Sequence, residues 1–401
     1  MGSMGSEQQG VNVWLDCDPG HDVSCISPFF HLRLNLSHSK WQFARSVKTC
    51  SHDAFAILLS VYHPILNLLG ISTVHGNSSI NHTTYNATSL LTSMSATHIP
   101  VYRGSGTGLV RSAVHAPDIH GESGLEGTEL LPTPAKGPVD EPAIDAMAKA
   151  LFATPKGSAW IVATGALTNI AQCFQKYEGL AEHIKGVSIM GGAVGNGFTD
   201  AVLGRVDDKE RIGNWSIWAE FNILVDPEAA AFVLEHDVLK TKAVLIPLDV
   251  THQTKTTLRT MLVELLTFFA ATYDRVFGIS DGPPLHDPLA VAVILDGISG
   301  AEIPFYDFKD HSKRERFQVK VVTEGSHDDA QKGSETGRTI VKLLPEGEEG
   351  VKIPRGLDIK RFWEVIEDYL PVRVVQDPID TIFAPKMPPL PDPQSMNNAV
   401  H

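Results

Sequence analysis

Short apolar runs that alternate with helical patterns constrain the fold of this chain more than any other feature. Residues 11–15, 66–74 and 158–163 are near-continuous in apolar side chains, and helical patterns at 143–153 and 168–177 lie beside them. Strands buried on both faces read as such runs, and parallel neighbours need crossover helices. The sequence therefore predicts an α/β fold with a largely parallel, Rossmann-like open sheet flanked by helices. Further strands are predicted at 99–102, 186–190, 243–248, 317–322 and 339–344, and further helices at 84–96, 227–235, 258–277, 288–295 and 359–370.

The domain organisation follows from length and from the absence of breaks in the pattern. A chain of 401 residues can form one large α/β domain or two smaller ones. The sequence has neither an internal repeat nor a clean linker, so we expect a single domain over residues 11–377. Residues 1–10 are predicted to be disordered, and the proline-rich tail at 378–401 is predicted to be loose.

Composition restricts the partners and the compartment. The formal charge of −14 argues against a nucleic acid as an electrostatic partner. No run approaches the roughly 20 apolar residues that span a bilayer, so we expect no membrane contact. The first residues lack both the basic and the apolar part of a signal peptide, and the four cysteines have no metal-type spacing. These features predict a reduced, cytoplasmic protein.

Three aspartates are crowded at the end of the first strand, and a fourth begins the next helix. Asp16, Asp18 and Asp22 belong to Asp-x-Asp-Pro-Gly-x-Asp, and Asp53 follows after a long gap. Such a motif can be a simple acidic turn, because Asp, Pro and Gly all form turns. Carboxylates this close repel one another unless a cation or hydroxyl donors hold them. The position after a buried strand favours a metal or sugar site.

Other polar residues follow predicted strands in the same way. Asn77, Thr164 and Gly191 each lie just past a strand end. In open α/β sheets, ligands bind in the crevice outside the carboxyl ends of the strands. This shared position indicates one binding site more strongly than any single motif.

The remaining candidates are ambiguous when taken alone. His120 is a lone histidine in a loop, and Glu220 and Asn222 alternate on one face of a possible strand, where they could grip hydroxyls. Asp226 before Pro227 is a good helix N-cap, which is a structural role. Asp287 before Pro288 could be an N-cap too, next to His286.

Taken together, eight motifs in order resemble the inosine-uridine-preferring nucleoside hydrolases, and most closely the fungal uridine nucleosidases. In chain order they are Asp-x-Asp-Pro-Gly-x-Asp from Asp16, Asp-Ala-x-Ala-Ile-Leu-Leu from Asp53, Val-x-Gly-Asn ending at Asn77, Ile-His-Gly-x-Ser-Gly from Ile119, Ala-Thr-Gly-x-Leu-Thr-Asn from Ala163, Met-Gly-Gly from Met190, Ala-Glu-Phe-Asn from Ala219 and His-Asp-Pro from His286. Eight ordered motifs are far more specific than any one of them.

The resemblance implies a role for each matched residue. Ca²⁺ would be held by Asp18, Asp53, the backbone carbonyl of Thr164 and Asp287, a set of oxygen ligands that suits this ion. Asp18 would also take the proton of the attacking water, and Asp16 would support the metal site. The ribose hydroxyls would be held by Asp22, Asn77, Asn214, Glu220 and Asn222. His120 and His286 would face the leaving base.

The implied reaction is hydrolysis of the N-glycosidic bond of a ribonucleoside, uridine to uracil and ribose, in pyrimidine salvage. Carboxylates stabilise the oxocarbenium character that develops on the ribose, and an acid such as His286 assists the departing base. Attack by water in a single step would invert the anomeric carbon. The family also implies a homo-oligomer, a dimer or a tetramer.

The chain departs from the family pattern at one place. The two aspartates that the family has side by side, here Asp22 and Asp53, are separated by the 30 residues of segment 23–52, which is basic and free of acids. We interpret this segment as untranslated sequence read through, or as a lineage insertion. Two other functions stay open: a nucleoside-binding pseudoenzyme, if the segment displaces Asp22 or Asp53, and a haloacid-dehalogenase-type phosphatase, which also places Asp-x-Asp after its first strand.

Overall fold

A six-stranded parallel sheet forms the centre of the computed structural model, which describes residues 10–20, 52–115, 131–206, 209–254, 284–307 and 315–369. The strands are β1 (Val11–Cys17), β2 (Leu66–Thr73), β3 (Val101–Arg103), β4 (Ala159–Ala163), β5 (Gly186–Met190), β6 (Arg205–Val206), β7 (Lys209–Glu210), β8 (Ala243–Ile246), β9 (Phe305–Tyr306), β10 (Phe317–Val321), β11 (Thr339–Leu343) and β12 (Gly356–Leu357). The sheet has the order β3-β2-β1-β4-β5-β8, and all its strands are parallel. The predicted fold class is confirmed.

Helices cover both faces of this sheet. They are α1 (His52–Tyr62), α2 (Ile80–Ser93), α3 (Ala143–Phe152), α4 (Thr168–Lys176), α5 (Leu180–His183), α6 (Phe221–Val225), α7 (Pro227–Glu235), α8 (Leu239–Lys242), α9 (Leu248–Thr251), α10 (Asp287–Ala292), α11 (His327–Gln331) and α12 (Ile359–Tyr369), with a 3₁₀ turn at Val293–Leu295. Alternate residues of β1 point to opposite faces. Val13 and Leu15 pack into a core that contains residues of α1 and α10, whereas Trp14 packs with residues of α3, α4 and α7.

The strand order places a crevice at the centre of the sheet. From β1 the chain proceeds to β2 and β3 on one side, and then returns to β4, β5 and β8 on the other. Asp16 of β1 is in register with Ser72 of β2 and Ala163 of β4. Ligands of open α/β sheets bind at such a reversal, outside the carboxyl ends of the strands. The predicted site residues follow these strand ends.

Several predicted elements differ from those observed. Helix α2 begins at Ile80 rather than at residue 84, because the Ser79 side chain accepts a hydrogen bond from the His82 backbone and caps it. Strand β8 ends at Ile246, and the chain enters α9 after Pro247. The added strands β10 and β11 form a separate antiparallel pair.

Some predictions fall on parts of the chain that the structure does not describe. These are the helix at 258–277, the tail at 378–401, nearly all of residues 1–10, and segment 23–52 apart from its last residue. Among the described residues, no helix is both long enough and apolar enough to cross a membrane.

Candidate active site

Asp18 and Asp53 lie together at the carboxyl end of β1, with Asn77 between them. The Asn77 backbone N–H donates to Asp18 Oδ2 at 2.8 Å, and its side-chain Nδ2 donates to Asp53 Oδ2 at 3.4 Å. Both carboxylates are almost fully buried. The fold therefore brings Asp53 close to Asp18 across the long segment between them. The displacement of Asp53 that the pseudoenzyme hypothesis considered is not observed.

Two glycines make room for the Asp18 carboxylate. A Cβ atom at Gly76 would lie 2.2 Å from Asp18 Oδ2, and one at Gly165 would lie 2.6 Å from Asp18 Oδ1. These glycines follow β2 and β4, so the backbones of the two neighbouring strands close around the carboxylate. The close approach of Asp18 thus explains why the motifs Val-x-Gly-Asn and Ala-Thr-Gly have glycine at these positions.

Two hydrogen-bond donors hold the carboxylate of Asp16, which lies two residues before Asp18. The Ser72 hydroxyl donates to Asp16 Oδ1 in a short hydrogen bond, and Asn169 Nδ2 donates to the same oxygen at 2.8 Å. The Trp14 indole N–H donates in turn to Ser72 Oγ at 2.8 Å. Asp16 is therefore fixed by the sheet and by α4, which fits the supporting role predicted for it.

Thr164 connects Asp53 to the next strand. Its hydroxyl donates to Asp53 Oδ1 at 2.8 Å, and its backbone carbonyl accepts from Asn222 Nδ2 at 2.9 Å. A carbonyl oxygen has two lone pairs, so this one can still bind a second partner. Thr164 thus orients one carboxylate and offers the predicted backbone oxygen.

Glu220 and Asn222 begin a helix, and the strand expected there is wrong. The Glu220 carboxylate accepts from the backbone N–H groups of Asn222 and Ile223, so it caps α6, and it also accepts from Gly192 at 2.9 Å. These three hydrogen bonds and a further one from the Phe221 backbone fix the Glu220 carboxylate at the start of α6. Asn214 Oδ1 accepts from the Phe221 backbone at 2.9 Å and secures the same turn.

His286 lies in a group of aromatic rings beside these carboxylates. Its Nδ1 is 2.6 Å from the Thr251 hydroxyl, and its ring centroid is 4.7 Å from that of His52 and 5.5 Å from that of His252. Burial, followed by the charges of the two neighbouring histidines, lowers the pKa of His286 well below its usual range. The imidazole is therefore neutral near pH 7.

The two remaining helix starts differ in their caps. Asp226 caps α7 by accepting from Ala229, with Pro227 in the first turn, and this confirms its structural role. Asp287 belongs instead to the first turn of α10, where His286 holds the N-cap position. The N-cap interpretation of Asp287 is wrong, and its buried carboxylate lies in the first turn of α10, where the helix dipole favours a negative charge.

Burial raises the pKa values of the carboxylates in this site. Burial, opposed by hydrogen bonds, raises the pKa of Asp16 to about 7 and that of Asp53 to about 7. Burial and then the charge of Asp53 raise the pKa of Asp18. The Cys17 thiol, whose pKa burial also raises, senses the charges of all three and of Asp287. The charges of four carboxylates therefore act on the Cys17 thiol at the end of β1.

The donors in this cluster suit a hard cation. Asp18 Oδ1 and Asp16 Oδ2 are buried, and neither has a hydrogen-bond partner among the described residues. Buried carboxylate oxygens without donors are costly unless a cation compensates them. Within the described ranges, however, no three His, Cys, Asp or Glu side chains lie close enough together to hold a metal ion. Asp287 has to approach the Asp18–Asp53 pair to complete the predicted set.

Asp22 and His120, the other predicted site residues, lie outside the described part of the chain.

Comparison with known proteins identifies the family. The model of the inosine-uridine preferring nucleoside hydrolases matches residues 49–364. The chain belongs to this family. It is a hydrolase acting on N-glycosyl compounds, and the phosphatase interpretation is not supported. The match to this nucleoside hydrolase begins at residue 49, after most of segment 23–52, so the first aspartate motif lies outside the matched range.

Curated relatives cover between 71% and 90% of the hydrolase. It is 35% identical over 378 residues to the uridine nucleosidase of Saccharomyces cerevisiae, covering 90% of this chain and 96% of the relative. It is 33% identical to a probable ribonucleoside hydrolase of Dictyostelium discoideum, covering 79% and 91%. A pyrimidine-specific ribonucleoside hydrolase of Salmonella newport is 33% identical, with 71% and 79% covered.

Solved structures share the fold of the hydrolase. A purine-preferring ribonucleoside hydrolase from Gardnerella vaginalis aligns with a TM-score of 0.64 at 23% identity, covering 89% of this chain and 97% of that one. A plant nucleoside hydrolase aligns with the same TM-score at 23% identity, covering 90% and 99%. At this level of identity the likeness establishes the fold alone.

Sequence reasoning missed four contacts of the hydrolase site. Ser72 lies inside an apolar strand, and Thr251 follows another. Both carry hydroxyl groups, and such residues are too common in the sequence to single out these two. Asn169 ends the motif Ala-Thr-Gly-x-Leu-Thr-Asn, and this was a usable signal that it contacts the site. His52 is the last residue of segment 23–52, and its position beside Asp53 is the one sequence signal that it contacts the site.

Proposed function

We propose that this protein hydrolyses the N-glycosidic bond of uridine to give uracil and ribose, with Ca²⁺ as cofactor. The observation that carries the proposal is the buried Asp18–Asp53 pair, joined by Asn77 at the reversal of strand order. Such a pair suits a cation and a polyol at the place where open α/β sheets bind ligands. We place the reaction in cytoplasmic pyrimidine salvage. A homo-oligomer, dimer or tetramer, stays a prediction.

Four oxygen donors would hold the ion: the carboxylates of Asp18, Asp53 and Asp287, and the backbone carbonyl of Thr164. Bound Ca²⁺ supplies a Lewis acid that lowers the pKa of a water molecule. The unpartnered Asp18 Oδ1 supports this assignment, because a buried charged oxygen needs a compensating partner. Thr164 donates its hydroxyl to Asp53, and a hydrogen bond of that kind orients a metal ligand.

Asp18 is the proposed general base. Its Oδ2 accepts from the Asn77 backbone N–H and its Oδ1 has no hydrogen-bond partner among the described residues, so the carboxylate keeps acceptor capacity for a proton from water. The same hydrogen bond fixes the plane of the carboxylate, which keeps this base oriented. Asp22, Asn77, Asn214, Glu220 and Asn222 are proposed to hold the ribose hydroxyls.

His286 and His120 are proposed to face the leaving base. A neutral imidazole has one N–H donor and one acceptor nitrogen. When the Thr251 hydroxyl donates to His286 Nδ1, the ring proton lies on Nε2, where it can bind an oxygen of the departing uracil. Such a contact stabilises the negative charge that develops on the base.

The preference for uridine is inferred from the curated relatives. One is named a uridine nucleosidase and another a pyrimidine-specific hydrolase, whereas a solved structure of the same fold is named purine-preferring. The fold therefore does not separate the two substrate classes. Pyrimidine nucleosides are the proposed substrates because relatives above 30% identity bear those names.

The decisive experiment compares release of the free base from uridine, cytidine and inosine, with Ca²⁺ and after chelation. We expect uracil release to be fastest and to need Ca²⁺. Asp18→Asn should lower kcat on uridine at least about 100-fold, because it removes the base. Asp145→Asn, which removes the half-buried partner of Lys176 on α3, is the matched control and should retain full activity.

Three results would contradict the proposal. Binding of uridine without uracil release would identify a pseudoenzyme. Faster turnover of inosine would overturn the pyrimidine preference. Equal turnover after chelation would remove Ca²⁺ from the reaction.

A further inference from the structure

His52 lies beside the site without having been assigned a role in it. It is the first residue of α1, directly before Asp53, and it is only 6% exposed. Its ring meets that of His286 edge to face, with 4.7 Å between the centroids and 63° between the planes. Aromatic rings attract each other in this edge-to-face arrangement.

The His286 ring is held at one atom by a hydrogen bond and at its sides by packing. The contact of Nδ1 with Thr251 restrains one nitrogen, and His252 packs on the ring at a tilt of 48°. The torsion that turns an imidazole about its Cβ–Cγ bond is soft. The ring of His52 also contacts the imidazole, limits this rotation and restrains where the second nitrogen points.

An imidazole at this position is a property of this chain. Deletion of residues 23–52 would put Asp22 directly before Asp53, so the residue preceding Asp53 would be a carboxylate. A carboxylate has no ring surface to offer to His286. The aromatic contact therefore exists only because His52 precedes Asp53 here.

We propose that His52 is a positioning residue for His286, acting by ring packing. It holds the imidazole in the orientation in which the second nitrogen faces the leaving base. This inference rests on the proposed function, in which His286 contacts the departing uracil. It adds a residue that none of the eight motifs contains.

The test compares two substitutions in the full chain. His52→Ala removes the ring, and it should lower kcat for uridine between about 10- and 100-fold while KM changes less than about threefold. His52→Phe keeps an aromatic edge, and it should retain kcat within about threefold. Phe152→Ala is the matched control: it takes an aromatic ring from His183, 5.2 Å away at the other end of β4, and should leave kcat unchanged.

A second measurement does not depend on turnover. In protein labelled at histidine, the ring signals of His286 are assigned by their loss in His286→Asn. They should shift in His52→Ala and move much less in His52→Phe, since ring packing determines their environment. If the native chain releases no uracil, the proposed function fails while this signal still reports the contact.

Two outcomes would overturn the positioning role. One is an unchanged kcat together with unchanged His286 signals in His52→Ala. The other is an equal loss of kcat in both variants at an unaltered thermal midpoint, since a ring would then not be what the site needs.

Discussion

Gly76 is the residue whose size most directly controls the Asp18 carboxylate. A Cβ atom there would lie 2.2 Å from Asp18 Oδ2, a distance that real Cβ contacts essentially never show. Gly76 is not at a positive φ, so the effect of a methyl group is purely steric. The carboxylate has to move, and the Asn77 backbone hydrogen bond to it has to stretch.

We therefore expect Gly76→Ala to lower uracil release about 100-fold, as a misplacement near 1 Å does in other active sites. Calorimetry should also detect weaker Ca²⁺ binding. Gly137→Ala is the control, because a Cβ atom at Gly137 meets nothing within 4 Å. Equal activity of the two variants would show that the carboxylate tolerates displacement.

His63 gives the fold a dependence on pH. Burial, followed by the charge of Arg361, lowers its pKa to about 4 in the folded chain from an ordinary value of 6.5. The unfolded chain therefore binds this proton at a higher pH than the folded chain does. The contribution to stability is fully present above about pH 6.5 and is lost as the pH falls towards 4.

His63→Asn should flatten the pH dependence of the urea midpoint between pH 4 and 6.5. The contribution removed is on the order of 2 kcal/mol. His98→Asn, at an exposed position, is the control and should retain the native profile. A profile of His63→Asn as steep as the native one would exclude His63 as the source.

At the residue scale, the sequence predicted the residues that follow strand ends. Asp18, Asn77 and Thr164 do meet, because the carboxyl ends of parallel strands share one edge of the sheet. The contact of Thr251 with His286 was not predictable, since it joins residues far apart and depends on side-chain rotamers. Nothing in the sequence around a serine or threonine indicates a partner of this kind.

At the scale of elements, the connection from β1 to α1 is the unusual one. The backbones of Asp18 and Gly20 hydrogen-bond to the Asp53 carboxyl. Gly20, just after β1, and Asp53, in the first turn of α1, are therefore close in space. Two residues, His21 and Asp22, can join them when 23–52 is removed.

Deletion of 23–52 should therefore leave the fold intact and stabilise it. Shortening the connection from 32 residues to two is four halvings of its length, which lowers the cost of closure by about 2 kcal/mol. Urea unfolding would measure this gain. A deletion variant that fails to fold would contradict the proximity of the two ends.

Most elements were predictable from the period of their apolar residues. Strand β5 and helix α7 have the bounds predicted for them. Helix α6 was not predictable, because Ala-Glu-Phe-Asn alternates as a strand does. The Glu220 side chain decides the outcome by capping the helix, a contact that periodicity does not contain.

At the scale of the whole molecule, Ca²⁺ should bind the folded chain and stabilise it. A ligand that binds only the native state at 100 times its Kd adds about 2.7 kcal/mol. We expect millimolar Ca²⁺ to raise the Tm by several degrees and a chelator to lower it. Thr164→Val should reduce this increase, because it removes the hydroxyl that orients Asp53, whereas Thr164→Ser should preserve it. A Tm that does not respond to Ca²⁺ would contradict the assigned ligands.

The class of the fold was readable from the sequence, but the order of its strands was not. Apolar runs beside helical patterns require a parallel sheet with crossovers. Which strands are neighbours depends on how the crossovers pack, and no local pattern records that. The position of β1 between β2 and β4 is known only from the structure.

That central position has a consequence for the order of events during synthesis. Strand β1 leaves the ribosome first, yet Asn12 pairs with Asn67 on one side and with Ala159 on the other. Its second edge stays open until more than a third of the chain has been made. An open strand edge is a template for association with other chains. Translation speed and chaperone supply between the codons of β1 and those of β4 therefore bear on the yield of folded enzyme.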